Sequence, residues 1–365
     1  MKNTFGNSLS VTLFGESHGE MIGAVLDGIA PGIAIDDAYI AHCLSLRRPV
    51  GKISTARQES DPFRIVSGVF NGKTTGTPLT ILIPNENTQS KDYSATRALA
   101  RPGHADYTAF CKYHGNEDYR GGGHFSGRIT APLVAVGAIL QSALKEKGIL
   151  IGTHISRCAK INDRAFSDYS ADIAYLENRT FATLDESAEE KMIQAIEQAA
   201  QEGDSVGGIL ETAVIGMPEG VGEPWFDSIE STLSHALFSI PAVKGVEFGS
   251  GFAFADMMGS TANDPFTVKN EKIITTTNHN GGINGGITNS MPILFRTVIK
   301  PTPSIFKEQN TVNFMEKEFA TLSLKGRHDP AIVHRARAVQ NAITAIALAD
   351  ALVLRFGTDF LKKDL

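Results

Sequence analysis

The chain has 365 residues, 42% of them hydrophobic and 20% charged, with a net charge of −6. That is ample apolar material for a substantial core. It is too sparsely charged for a disordered or coiled-coil chain and too acidic for bulk nucleic-acid binding.

The N-terminus, MKNTFGNSLSVTLFGESHG, lacks the apolar core of a signal peptide, so the chain reads as intracellular. The scattered thiols of Cys43, Cys111 and Cys158 form no CxxC or zinc spacing, which fits a reducing cytoplasm. Leu9–Phe14 and Gly23–Ile29 read as strands. A helix over Asp37–Leu46 follows, closed by Arg47, Arg48 and Pro49. Phe63–Phe70 and Leu79–Pro84 read as strands, with Asn71–Gly72 as a hairpin turn. A long apolar helix is expected over Ala131–Lys147. Its cleanest run, Ala131–Leu140, is too short to span a bilayer. Ser187–Glu202 carries a charged face and reads as a solvated helix. Gly208–Ile215, Gly245–Ala255 and Met291–Ile299 read as strands. Helices are expected over Ser228–Phe238, capped by Asp227, and over Ala331–Leu354, capped by Asp329 with Pro330 in its first turn.

No Ser/Gly-rich or Pro-rich linker interrupts the chain, so residues 1–365 read as a single domain. Gly23–Gly51 and Gly207–Gly245 share a loose pattern of strand, Pro/Gly turn, helix and Pro/Gly exit, an internal repeat. Strands occur in pairs without an obligatory helix between them. The expected class is therefore α+β with largely antiparallel sheets.

The segment Arg101–Arg128, RPGHADYTAFCKYHGNEDYRGGGHFSGR, is the least explicable by stability alone. Glycine adds no packing, and arginine and histidine are hard to bury without partners. Three glycines before a helix N-terminus suit a flat or phosphorylated ligand; a flexible loop is the plain alternative. In GESHG, His18 at a strand exit suits proton transfer, or is a turn histidine. Ser17 and His18 are neighbours on an extended chain and point apart, a poor nucleophilic dyad. Arg47 and Arg48 either complement a helix macrodipole or grip carboxylate and phosphate. SGVFNGKTTG (67–76) is one residue short of a P-loop, and no GxGxxG follows a strand. NHNGGINGG, KPTPS and GRHDP are further Gly, Lys and His/Arg/Asp clusters. No motif supplies a metal-ligand ladder. Clusters so far apart serve one function only if folding gathers them into one basic pocket.

GESHG, RRP, RPGHAD, DYRGGG with Ser126 and Arg128, AVKGVEFG, NHNGGINGG, KPTPS and GRHDP occur in the order found in the chorismate synthase family, which the chain resembles from about residue 12 to 335. The resemblance implies a β-α-β sandwich, pseudo-duplicated, with helices between antiparallel sheets, assembled as a homotetramer in the cytoplasm. It implies a phosphate lyase of the shikimate route. This activity converts 5-enolpyruvylshikimate 3-phosphate to chorismate by anti-1,4-elimination and requires reduced FMN. Some relatives reduce their flavin with NADPH; others need an outside flavin reductase, and the missing Rossmann fingerprint points to the latter. A flavin-binding protein without catalysis is the alternative.

By the same resemblance, His18 protonates the departing phosphate, His104 partners the reduced flavin, and Asp329 works beside flavin N5 as the C6 proton is lost. Arg47, Arg48, Arg101, Arg128 and Arg327 correspond to substrate-binding positions. His124, Phe125, Ser126, Pro241, Ala242, Gly285, Lys300, Pro301, Thr302, Pro303, Ser304 and Arg327 correspond to flavin-contacting ones. This chain departs from the family in having His124-Phe125-Ser126-Gly127-Arg128 where many relatives have Arg-Ser-Ser-Ala-Arg, and Pro241 where some have Asn. In the loop after RRP, Lys52 or Arg57 stands for an arginine common in relatives.

Overall fold

The computed structural model describes residues 2–49, 51–54, 60–86, 97–324 and 329–363. Arg57 and Arg327 lie outside the described residues. Two five-stranded sheets dominate. The first has the order Thr4–Phe5, Ser10–Gly15, Met21–Asp27, Leu79–Pro84, Arg64–Ser67. The second has the order Val243–Phe248, Ile293–Ile299, Gly208–Ile215, Leu150–Cys158, Ile161–Asn162. All their pairings are antiparallel.

The two sheets are built by the same sequence of moves. Each begins with two adjacent strands, Ser10–Gly15 with Met21–Asp27 and Leu150–Cys158 with Gly208–Ile215. A helix follows, Asp37–Leu46 in one half and Ile229–Leu237 in the other. Next comes an outer strand, Arg64–Ser67 or Val243–Phe248. A strand then inserts inside it, Leu79–Pro84 or Ile293–Ile299. A long helix ends each half, Thr130–Glu146 or Val333–Phe356. The internal repeat legible in Gly23–Gly51 and Gly207–Gly245 is thus the visible part of a duplicated ββαββα unit.

The two long helices pack on each other and on the two sheets, as the middle of a sandwich. Every residue from Ala131 to Leu140 is buried, which explains an apolar surface all round. Both helices are long and apolar enough to cross a membrane, but 78% of each apolar stretch is buried inside the fold. Pro132 sits in the first helical turn, where its missing N–H costs nothing. The helices approach closely at Gly137, where an added Cβ would lie 2.3 Å from the Ala342 Cβ. Gly137→Ala is therefore expected to lose about 1–3 kcal/mol by overpacking, although alanine favours the helix by about 1 kcal/mol. Denaturant unfolding reads this directly, and a midpoint at or above that of the wild type contradicts it.

Polar groups fix the second long helix on its sheet. Thr153 donates to Asn341 Oδ1 at 2.6 Å, Gln340 Nε2 donates to Thr212 at 2.8 Å, and Thr297 donates to Gln340 Oε1 at 2.6 Å. Asp350, also buried, accepts from the backbone N–H groups of Asn7, Ser8 and Leu9 at 2.8–2.9 Å.

Several expected elements shift. The helix expected from Ser228 is capped by Ser228 itself, which accepts from Ser231 N at 3.0 Å, whereas Asp227 belongs to a preceding 3-10 turn. The last helix begins at Val333, beyond Asp329, so Asp329 is not its cap. The strand expected over Gly245–Ala255 ends at Phe248 and gives way to a 3-10 turn, Gly251–Asp256. Asn71–Gly72 is the hairpin turn expected, between Val69–Phe70 and Lys73–Thr74.

Candidate active site

A cavity of about 990 Å³ opens between the halves of the chain. The Arg101–Arg128 segment supplies one of its walls. Asp106, at the start of a helix over Asp106–Tyr113, folds back on Arg101 and accepts from its Nε at 2.8 Å, its Nη2 at 2.7 Å and its backbone N at 3.0 Å. Burial opposes ionisation of Asp106, but the Arg101 hydrogen bonds and charge prevail and hold its carboxyl below the usual range. Arg120 makes the same fork with Asp118, Nε at 2.8 Å and Nη2 at 2.8 Å, and that contact lowers the Asp118 carboxyl.

The three glycines then turn through left-handed backbone, with φ of 59°, 87° and 53°. They make room for His18. The strand Ser10–Gly15 has ended, so Ser17 and His18 sit in a turn rather than on extended chain. The expectation that they point apart is therefore wrong, and Ser17 Oγ lies 3.1 Å from His18 Nδ1. Ser17 also donates to the Arg120 carbonyl at 3.2 Å, and its own N–H bonds Gly123 O at 3.1 Å. With the hydroxyl proton on Arg120 O, the Ser17 oxygen accepts from His18 Nδ1–H. His124 is held by its Nδ1 on Gly15 O at 2.8 Å.

The opposite wall comes from the second half. His104 Nε2 lies 2.7 Å from Ser304 Oγ, and Lys300 Nζ donates to Gly103 O at 2.6 Å. These bonds pin the KPTPS loop onto RPGHAD. Asp329 is bound by Arg335 Nη1 at 2.5 Å, and Arg335 Nε donates to Arg47 O at 2.8 Å. Arg47 caps the C-terminus of the Asp37–Leu46 helix, where its charge complements the macrodipole, and it also lines the cavity. Arg48 Nη2 donates to Ser60 O.

Folding thus brings His104, Asp329, Arg47, Arg48, Arg101, Arg128, His124, Phe125, Ser126, Pro241, Ala242, Lys300, Thr302 and Pro303 to one cavity. His18 is not among the lining residues: it is buried behind Gly121, which lines the cavity, and Ser304 touches the site through His104. Two expected flavin positions are not brought there. Pro301 is exposed beyond the lining, and Gly285 turns the Ile283–Asn284 to Ile287–Thr288 hairpin, outside the cavity. Sequence reasoning missed Asp61, Asn85, Arg97 and Arg335, each a single polar residue outside a recognisable block. It also missed the apolar wall of Val339, Ile343 and Ile346, one side of a helix read only as core.

Among the described residues, nine cationic and five carboxylate side chains line the cavity, a net +4 in a chain of net charge −6. That local excess suits a polyanion. Next to Arg335, His334 is buried, with Nε2 2.8 Å from Ser54 Oγ and its ring stacked on Phe181. Burial, with the Arg335 charge adding to it, pushes its pKa from 6.5 down to about 3. The unfolded chain therefore binds a proton here that the folded chain refuses, and stability falls as pH drops from 6.5 towards 3. Relative to His334→Gln, the wild type is expected to lose more stability between pH 7 and pH 5; parallel losses contradict this.

The chorismate synthase family model matches residues 9–353. The chain is 46% identical over 350 residues to a chorismate synthase of Pyrococcus abyssi, covering 96% of this chain and 97% of that relative. It is 44% identical over 360 residues to one of Dehalococcoides mccartyi, covering 98% of both. A crystal structure of chorismate synthase superposes with a TM-score of 0.77 at 28% identity, covering 98% of this chain and 95% of that one. On this sequence match and this shared fold, the chain belongs to the chorismate synthase family.

Proposed function

We propose that this cavity converts 5-enolpyruvylshikimate 3-phosphate to chorismate and phosphate by anti-1,4-elimination, with reduced FMN as cofactor. The observation that carries the reading is the net positive cavity in which His104, Asp329 and four of the expected arginines meet. Its volume of about 990 Å³ is at the upper end of the ~300–1,000 Å³ range of small-molecule pockets, so a flavin and a second small ligand fit together. The Thr302 hydroxyl, buried and without a hydrogen-bond partner among the described residues, is a polar group waiting for a ligand. His124, Phe125, Ser126, Pro241, Ala242, Lys300, Thr302 and Pro303 would hold the flavin. When bound, reduced flavin lends electron density to the allylic system and takes it back.

The chain's own groups do the rest. Arg47, Arg48, Arg101 and Arg128 bind and orient the carboxylates and phosphate, and stabilise charge developing on the leaving group. His18 delivers a proton from Nε2 to the phosphate. Its Nδ1 bond to Ser17 keeps the ring in one tautomer. Asp329, oriented by Arg335, receives the proton lost from C6. His104, oriented by Ser304, supplies a hydrogen bond or proton to the flavin ring.

A single domain over residues 1–365, a homotetramer and a cytoplasmic location complete the proposal. Exposed Trp225, Phe226 and Phe252 support burial of further surface on assembly. An outside flavin reductase would supply the electrons; steady turnover in air on NADPH alone contradicts that part. The test of the activity is anaerobic chorismate formation with reduced FMN, expected to be unaffected by EDTA. Phosphate released without chorismate, and abolished by chelator, would point to metal-dependent phosphate hydrolysis.

A further inference from the structure

Thr153 points at the last helix, so its neighbour His154 points to the other face of the second sheet. There the imidazole lies between two carboxylates. Its Nδ1 is 2.7 Å from Asp163 Oδ2, and its Nε2 is 3.0 Å from Glu211 Oε2 on the neighbouring strand. The side chains of His154 and Asp163 are wholly buried and that of Glu211 is 19% exposed. None of the three lines the cavity. A neutral imidazole donates to one carboxylate and turns a lone pair on the other, whereas a ring with two N–H groups donates to both. Burial opposes that charge, but the hydrogen bonds to Asp163 and Glu211 and their charges prevail and hold the His154 pKa above 6.5.

Asp163 also fastens the chain. Its Oδ2 accepts from Leu184 N at 2.6 Å and its Oδ1 from Asp185 N at 2.9 Å, which closes residues 163–185 into a strap. Beside His154, Ile155 N donates to Ala182 O at 2.7 Å. The strap then runs against two helices that carry cavity residues. Glu177 O lies 3.1 Å from His42 Nε2, on the helix that ends at Arg47. Arg179 O accepts from Arg337 Nη2, and Phe181 stacks on His334, both on the helix that carries Arg335.

We propose that His154, charged between Asp163 and Glu211, is a pH-sensitive latch that holds this strap against the helices behind the cavity and releases it as pH rises above neutrality. When the ring gives up its second proton, one carboxylate loses its donor and both lose their counter-charge. The other groups around the ring are committed elsewhere. Phe166 meets it edge-on at 4.8 Å. Tyr169, from the helix Tyr169–Leu176, is raised above its usual value by burial and by Glu211. Arg164 is paired with Asp172, Arg296 beside Glu211 is paired with Glu247, and Asp185 caps the helix Glu186–Gln201. At the far end of the strap, Glu177 is paired with Lys145 and Arg179 with Glu189. His334 there is neutral when folded, so its titration favours opening only below 6.5, the opposite direction. With the strap open, the His154 ring returns to about 6.5. Opening is therefore hardest below pH 6.5 and becomes easier, by up to about tenfold per pH unit, as pH rises towards the closed-state value.

Hydrogen–deuterium exchange of the intact chain at about pH 7 and pH 9, corrected for the intrinsic pH dependence of exchange, tests the latch. It needs no turnover, so its outcome is independent of the function proposed above. Peptides within 163–185 are expected to lose about tenfold in protection over that range. Those of the Asp37–Leu46 helix are expected to follow by a smaller factor, and Ala131–Leu140 to stay unchanged. In His154→Gln, whose amide is uncharged, strap protection is expected to be low at both pH values and to change by less than about twofold. Glu211→Gln removes one of the two carboxylates, so its loss of protection is expected at lower pH than in the wild type. Strap protection that does not fall with pH in the wild type, or falls equally in His154→Gln, overturns the latch. If His154→Gln does not fold, Glu211→Gln decides, and a pH profile identical to that of the wild type overturns it. A strap that opens while the Asp37–Leu46 helix keeps its full protection overturns the link to the cavity.

Discussion

His18→Ala is expected to lower anaerobic turnover by about 10²–10⁴-fold, the usual worth of general acid catalysis, while FMN binding persists. The size follows from how firmly the imidazole is held. Ser17 is bound to His18 Nδ1 at 3.1 Å and to the Arg120 carbonyl at 3.2 Å, and the turn is tied down by Ser17 N on Gly123 O and by the Asn85 amide on Glu16 O and Gly19 O. A ring built into such a frame has one working position, and alanine leaves no group there to protonate the departing phosphate. His104→Ala is expected to fall by a similar factor, because Ser304 at 2.7 Å orients that ring in the same manner. Near-normal kcat with added reduced flavin removes the corresponding histidine from the mechanism.

Gly121→Ala is expected to cost about 10²-fold in turnover, and Gly122→Ala far less. Both glycines have left-handed backbone, φ 59° and 87°, so each substitution carries a similar strain of about 1–2 kcal/mol. Their surroundings differ. A Cβ on Gly121 would lie 2.1 Å from His18 Cε1 and 2.5 Å from Nδ1, whereas one on Gly122 meets only Ser126 Cβ at 3.9 Å. The imidazole has to move, and a displacement of about 1 Å at a reacting group costs about 10²-fold. Paired kcat and urea-unfolding measurements separate the effects, with stability expected to fall in both variants and turnover to collapse only in Gly121→Ala. Equal losses of turnover contradict the packing argument.

The Arg101–Arg128 wall of the cavity is legible in the sequence because its residues are costly to the fold. Arginines, histidines and consecutive glycines in Arg101–Arg128 have no packing reason to be there. The duplication was half legible. Met21–Asp27 and Gly208–Ile215 carry turn and apolar signals, but Leu150–Cys158, the partner of Gly208–Ile215, does not. In LIGTHISRC, Gly152, Thr153 and His154 are buried although none is a strong apolar signal. Thr153 faces Asn341, and His154 is bound by Asp163 at 2.7 Å and Glu211 at 3.0 Å. Polar burial satisfied by distant partners defeats an apolar-period reading. Asp329 failed differently. An aspartate before a proline and an apolar helix is a good cap by local rules, but the helix starts four residues later, at Val333, and Asp329 is bound instead by Arg335 at 2.5 Å on the wall of the cavity. Asp61 was invisible for the same reason, since its partners Arg47 and Arg128 lie on separate elements. Local chemistry marks which residues are out of place, and the fold decides what they meet.

The central claim is that these scattered clusters form one site for a flavin-assisted elimination. The most direct measurement is an anaerobic single turnover of the wild-type chain with reduced FMN and 5-enolpyruvylshikimate 3-phosphate, following chorismate, phosphate and the flavin spectrum together. The account predicts one chorismate and one phosphate for each substrate consumed, with the flavin reduced at the start and at the end. Phosphate released without chorismate, or flavin oxidised in proportion to product, would contradict it.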